Sequence, residues 1–234
     1  STDREPAHRA FPKKAEDWDI ARIIKDYADA AERMQAAGVD GVEFLAHGHL
    51  IDQFLSPLTN HMEAPYGGDL QNRARFALEV LAAVRARVGK EFILGMRYGG
   101  DEAEPGGHTV EEGVALGKIF RDSGMVDYLN VNRGRIHTDP AMTDMIPIQG
   151  MRSAPHVDLA GRIKAEVGMP TLHAAHKAVE AGVDGLIVEG GEGGGFKNPR
   201  PVASMVLLPL IVSQIDLPVI AAGGFVDGPT MAAA

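Results

Sequence analysis

One joint recurs along the chain: helix-type residues, a Gly, one or two apolar residues and an Asp, then an apolar run. It reads AAGVDGVEFLAH at 36–47, DSGMVDYLNVN at 122–132 and EAGVDGLIVEG at 180–190. A Gly that closes a helix, followed at once by β-branched and apolar residues, is what alternating βα units leave in a sequence. The repeat therefore constrains the fold before any single residue does.

Helices come from apolar recurrence at i, i+3, i+4 and i+7. This predicts one over 19–37, through Ile20, Ile23, Ile24, Tyr27, Ala31 and Met34, and one over 69–88, through Leu70, Phe76, Val80, Val84 and Val88. They end at Gly38 and Gly89. Thr109 with Glu112 predicts a capping box opening a helix to 123, Ser153 with Pro155 opens another to 167, and Pro201 starts an apolar one. The strands are GVEFLAH (41–47), FILGMR (92–97), DYLNV (127–131), PTLHA (170–174), GLIVEG (185–190) and PVIAAG (218–223). Such nearly continuous apolar runs fit parallel strands covered on both faces.

Strict alternation points to a right-handed α/β array, either a (β/α)8 barrel or a doubly wound sheet. Polar or small residues gather at almost every strand end: His47, Arg97, Asn130 and Asn132, His173, Glu189, Gly223 and Gly224. Barrel enzymes keep their chemistry on that rim, whereas a doubly wound sheet concentrates it at one switch point. We therefore expect a TIM-barrel type α/β fold, incomplete or hybrid, with about six βα units, and residues 1–234 as one domain.

Composition narrows the function. A net charge of −9 argues against nucleic acid, whose binding draws on Lys and Arg neutralising phosphates. The chain has no Cys, which excludes disulfides, thiolate nucleophiles and iron–sulfur clusters within it and makes the cytoplasm the expected compartment. The most apolar stretch, 202–215, is shorter than a membrane span and contains Pro209, so no membrane partner is expected. The polar N-terminal STDREPAHRAFPKK has no signal-peptide pattern.

The stretch LIVEGGEGGGFKNPR at 186–200 places Gly190, Gly191, Gly193, Gly194 and Gly195 after a strand. Glycines let several backbone N–H groups turn toward one point, which makes an anion cradle. The next strand end supplies Ala222, Gly223 and Gly224, and two neighbouring late strands sharing a phosphate is a recurring barrel device. Lys197 and Arg200 either add charge there or are solvated. Arg97 closes its strand at the barrel mouth, either ion-paired with Asp101 or Glu102 or held as a fixed cation toward an electron-rich ligand. Of His47 and His49, one lines the site and the other is structural, while His173 is either a ligand contact or a hydrogen-bonded rim residue. A metal site from His47, His173 and Glu189 has no short-spaced ligand motif behind it, so none is expected.

The run GVEFLAHGHLIDQFLSPLTNHMEAPYGGDLQNRARFALEVLAAVRARVG, followed by FILGMR and YLNVNRGRIHTDPAMTDMIPIQGMRSAPH, closely resembles the old yellow enzyme superfamily over about residues 10–174. Within it the chain is similar to the trimethylamine dehydrogenase-like NADH:flavin oxidoreductases. The resemblance implies an FMN-binding barrel that passes hydride through flavin. It implies that Arg97 faces the flavin N1 and O2 region, and that His47 is the second member of a substrate-contacting pair whose first position is Phe44. Arg135 stands where some amine dehydrogenases of the family place an acidic residue, which argues against amine oxidation. From His176 onward, KAVEAGVDGLIVEGGEGGGFKNPR and LPVIAAGGFVDGPTMAAA resemble nitronate monooxygenases, another FMN barrel, in which these glycines hold the FMN phosphate. Phe196 occupies the place of that family's usual catalytic His. The junction at PTLHAAHKAVEAGVDG reads as a splice of two flavin-barrel parts, 1–174 and 175–234.

The expected function is an FMN-dependent oxidoreductase that takes hydride from NAD(P)H to a small organic acceptor, with His47 and Arg97 as catalytic residues. The other residues expected at the cofactor are His173, the five loop glycines, Ala222, Gly223 and Gly224. Two alternatives remain: a recombined barrel scaffold that binds FMN or another phosphate ligand without turnover, and a flavin-free sugar-phosphate barrel with Lys177 as its Schiff-base candidate. An incomplete barrel also exposes strand edges, which favours a homo-oligomer.

Overall fold

The computed structural model describes residues 13–146, 155–173, 184–189, 204–213 and 216–222. Its elements run α1 (Asp17–Ala36), β1 (Gly41–Ala46), α2 (Leu50–Leu55), α3 (Leu70–Val88), β2 (Ile93–Asp101), α4 (Val110–Asp122) and β3 (Tyr128–Arg133). They continue through α5 (Asp139–Met145), α6 (Val157–Val167), β4 (Thr171–His173), β5 (Gly185–Glu189), α7 (Ser204–Val212) and β6 (Val219–Ala222). The six strands form one parallel sheet in chain order, β1 to β6, curled as part of a TIM-type barrel. This is the incomplete six-unit barrel that the alternation predicts.

The two faces of the sheet differ in a way that follows from its openness. On the outer face Leu94, Met96, Tyr98, Leu129 and Val131 are fully buried, with α4 and α6 packed over β2 and β3. On the inner face Leu45, Ile93 and Ile220 are 40%, 47% and 44% exposed. In a closed barrel that layer is packed from all sides; among the described residues six strands form the sheet, and these three side chains are open. Phe76 of α3 stacks on Phe54 of α2 with ring centroids 4.2 Å apart, which fixes the helix after β1 onto the helix before β2.

Local chemistry explains the helix ends. Asp69 caps α3 by accepting the Asn72 N–H at 2.9 Å, and the chain leaves that helix at Gly89 with φ 76°. Thr109 is the N-cap of α4, but its capping box with Glu112 does not form, because Glu112 is ion-paired to Arg73 of α3. Close helix–sheet approach needs Gly113: a Cβ there would lie 1.9 Å from the Gly100 carbonyl oxygen.

The repeated joint also acquires a reason. Asp127 accepts the Leu94 N–H at 2.7 Å and pairs with Arg85 of α3 at 2.6 Å. Asp184 accepts the Thr171 N–H at 3.0 Å and pairs with Lys164 of α6 at 2.9 Å. In each case the Asp before one strand ties down the backbone at or near the start of the previous strand and a cation from the helix preceding that strand.

Candidate active site

β1, β2 and β3 bring His47, Arg97 and Asn132 together at the C-terminal rim. Leu45 lies opposite Arg97 in the β1–β2 register, and Arg97 opposite Asn130 in β2–β3, so alternate residues of all three strands share the inner face. His47 is 5% exposed, whereas His49 is exposed and precedes α2. Of the two histidines flanking Gly48, His47 is thus the one built into the rim.

Arg97 forms neither of the ion pairs that its sequence neighbours offer. Asp101 pairs with Arg133 at 3.0 Å, and Glu102 with His108 at 3.3 Å and Arg135 at 3.4 Å. Among the described residues Arg97 instead has an amide partner: with Asn132 Oδ1 turned toward the guanidinium, it accepts from Nε at 2.8 Å and Nη2 at 3.0 Å. The charge on this strand end is therefore oriented but not neutralised by an adjoining carboxylate. Glu43, whose two carboxylate oxygens each accept from Asn130 Nδ2 at 3.1 Å, is the anion deeper on the same face. Burial raises the Glu43 carboxyl above its usual range, opposed by bonds from Asn130 and Tyr128 and by the charge of Arg97. Gly95 is required here, since a Cβ on it would lie 2.1 Å from Cζ of Tyr128.

His47 Nε2 donates to the Gly134 carbonyl at 2.8 Å, which places the ring proton of the neutral imidazole on Nε2. The Asn132 amide face that serves Arg97 is also 3.2 Å from His47 Nδ1, so the two residues compete for one amide. Burial depresses the His47 pKa to about 4, helped by the positive charges of Arg97 and His108. At neutral pH the rim thus presents a cation beside a neutral imidazole, a pair suited to an electron-rich or anionic group next to a hydrogen-bonding one.

The remaining expected residues divide by position. His173 ends β4 and Ala222 ends β6, so both stand on the rim by backbone placement. Gly190, Gly191, Gly193, Gly194, Gly195, Phe196, Lys197, Arg200, Gly223, Gly224 and Lys177 lie outside the described residues. Among the described residues there is no cluster of three His, Asp or Glu able to hold a metal, and no helix long and apolar enough to cross a membrane.

Sequence reading did not single out Asp52, Glu102, His108 or Arg135 as one group. They come from α2, from the loop between β2 and α4, and from the loop after β3, and all four are buried. No spacing along the chain announces such a cluster. Asn132 carried a weak signal, as a polar residue alternating with Asn130 at the end of an apolar strand.

The chain is similar to known proteins in two stretches. Residues 2–144 match the family model described as NADH:flavin oxidoreductase / NADH oxidase, and residues 158–234 match that of nitronate monooxygenase. The second match begins upstream of the junction expected near 174. A probable N-methylproline demethylase of Rhizobium meliloti (strain 1021) is 64% identical over 172 residues, 74% of this chain and 25% of that protein. An N,N-dimethylglycine/sarcosine dehydrogenase of Chromohalobacter salexigens is 41% identical, over 73% of this chain and 25% of that protein. The chain thus spans about a quarter of the length of these relatives. Among solved structures, a 2-naphthoyl-CoA reductase complex superposes with a TM-score of 0.67 at 28% identity, covering 74% of this chain and 26% of that one. Morphinone reductase superposes at 0.58 with 26% identity, covering 76% and 47%.

Proposed function

Because the chain belongs to the NADH:flavin oxidoreductase / NADH oxidase family, we propose that it forms an FMN site and takes part in hydride transfer from NAD(P)H to a small organic acceptor. The observation that carries this reading is Arg97: a strand-end cation held by Asn132, with no carboxylate ion pair among the described residues. Bound FMN would supply the two-electron chemistry, and the protein the binding, orientation and electrostatics. Arg97 would hold the electron-rich edge of the cofactor, and His47, neutral at pH 7, would offer a hydrogen bond to substrate rather than a charge. The sequence assigns the phosphate to Gly190, Gly191, Gly193, Gly194, Gly195, Ala222, Gly223 and Gly224, and a cofactor contact to His173. In this reading 1–174 and 175–234 are two parts of one flavin-binding domain.

A second substrate reading is oxidation of an N-methyl amine. The position of Arg135 argues against a cationic substrate, yet its guanidinium is 4% exposed and faces Glu102 and Glu104, each at 3.4 Å. Its charge is thus countered internally. The demethylase and dehydrogenase names of the relatives cited above agree with that class.

The test is reconstitution of the full chain with FMN, followed by gel filtration, absorbance and titration with NADH or NADPH. The expected result is a retained flavin spectrum bleached by the reductant, with Arg97→Met weakening FMN binding about ten-fold or more through loss of a charged hydrogen-bonding partner. A colourless protein that never retains FMN overturns the reading. Retained flavin that no donor reduces and no enone, amine or nitronate turns over identifies a binding scaffold instead.

A further inference from the structure

The buried charges that this chemistry leaves unused gather behind His47. Asp52 is 3% exposed, and Glu102 and His108 are each 2% exposed. Asp52 Oδ2 accepts the Gly48 N–H at 2.9 Å, which fixes the peptide following His47. On the other side His108 Nε2 donates to the Gly99 carbonyl at 2.7 Å, and Glu102 Oε2 holds His108 by accepting its backbone N–H at 2.7 Å and lying 3.3 Å from its Nδ1. A Cβ built on Gly99 would stand 3.2 Å from Cδ2 of His47 and 3.6 Å from Cε1 of His108, so the two rings flank one glycine.

We propose that Asp52, Glu102 and His108 are positioning residues for His47, clamping the Gly48 and Gly99 peptides around the imidazole and holding it in the tautomer that donates to Gly134. The hydrogen bond made by one ring nitrogen sets which nitrogen carries the proton, and a networked clamp makes that choice firm. The charged groups around the ring are Arg97 from β2, Glu102 and His108 from the loop after it, Asp52 from α2, Arg135 after β3 and His156 at the start of α6. Arg97 and His108 oppose protonation of His47 and Glu102 favours it. Against burial, which lowers it, Glu102 raises the His108 pKa above its ordinary value. The cluster therefore sets the electrostatics of the ring as well as its place.

This inference rests on His47 being a site residue, and its test needs no cofactor. In the 15N-labelled full chain, the His47 ring nitrogens are followed by NMR against pH in the wild type, Asp52→Asn, Asp52→Ala and His108→Gln. The wild-type ring is expected to stay neutral with its proton on Nε2 down to about pH 5. Asp52→Ala should change the two nitrogen shifts and Asp52→Asn, which keeps an oxygen acceptor for Gly48, should restore them. His108→Gln removes a like charge and should raise the His47 midpoint by about one unit. Unchanged shifts in Asp52→Ala together with an unchanged midpoint in His108→Gln, both folded by circular dichroism, overturn the inference. If Asp52→Ala does not fold, the His108→Gln midpoint decides alone. A chain that passes this test and retains no flavin refutes the flavin reading and leaves the clamp standing.

Discussion

The joint before β3 and the joint before β5 are built alike, at two places along one sheet. Asp127 and Asp184 each bind a strand N–H and a helix cation with nearly the same geometry. Behind the first joint, β1 runs beside β2 from Gly41–Ile93 to Ala46–Tyr98, and the outer face is closed by fully buried Leu94, Met96, Leu129 and Val131. Behind the second, among the described residues β4 meets β5 at Leu172–Gly185 and His173–Leu186, and Leu186 is buried. Local chemistry is repeated from unit to unit, and Leu186 of β5 joins the same buried cluster as the core behind the first three strands. The candidate site sits on β1, β2 and β3, whose outer face is fully buried, as a preorganised rim requires.

The strongest way to break this comparison is to empty the core on each side. Phe76→Ala removes a fully buried ring stacked on Phe54 and should lower unfolding stability in urea by about 3–5 kcal/mol. Leu186→Ala should cost about 2–5 kcal/mol, because its side chain is 1% exposed. Both residues belong to one buried cluster, so a negligible loss from Leu186→Ala would mean that β5 packs apart from it.

A smaller effect sharpens where the charged chemistry resides. Burial and the negative charge of Glu102 raise the Asp52 carboxyl to about 6, from 3.8. A raised acid contributes stability that is present below its unfolded pKa and lost as pH rises through the folded value. The wild type should therefore lose about 1–3 kcal/mol relative to Asp52→Asn between pH 4 and pH 7. His47, depressed to about 4, acts in the opposite sense, its contribution being lost as pH falls below 6.5, but it is common to both proteins and cancels in the difference. Urea midpoints across that range check it, and parallel curves for the two proteins would place the acid's charge elsewhere.

The same contrast explains what the sequence disclosed. The joints were readable because a glycine leaving a helix, as Gly38 does at φ 86° and Gly124 at φ 65°, and the Asp after it act within a few residues. The end of β2 was not: FILGMR stops at Arg97, while the strand continues to Asp101 because β3 supplies partners through Asn132 and Arg133. The helices α2 and α5, of 6 and 7 residues, are too short for an apolar period to register. Glu112 was misread as a cap because its partner Arg73 is distant in sequence. At the site, His47 and Arg97 were visible as polar strand ends, while the Asp52, Glu102 and His108 cluster exists only once α2 and the loop between β2 and α4 converge.

If the two joints are equivalent, Asp127→Ala and Asp184→Ala should cost similar amounts, about 1–2 kcal/mol each, mostly from the strand N–H left without its carboxylate. Hydrogen exchange of Leu94 and Thr171 amides reads the two sites separately. Faster exchange confined to the mutated joint supports independent units; faster exchange at both would show that the joints act together through the sheet.

The least effect is expected from the ion pair on the second joint. Lys164 Nζ is 2.9 Å from Asp184 Oδ1, but the side chains are 31% and 43% exposed, so solvent and salt screen the attraction. Lys164→Ala should cost below about 0.5 kcal/mol, shrinking further in 0.5 M salt. The Asp184 bond to the Thr171 N–H survives that change, which is why the carboxylate matters more than its cation. A loss as large as that of Asp184→Ala would reverse this order: the cation from α6 would then be what holds β4 and β5 together.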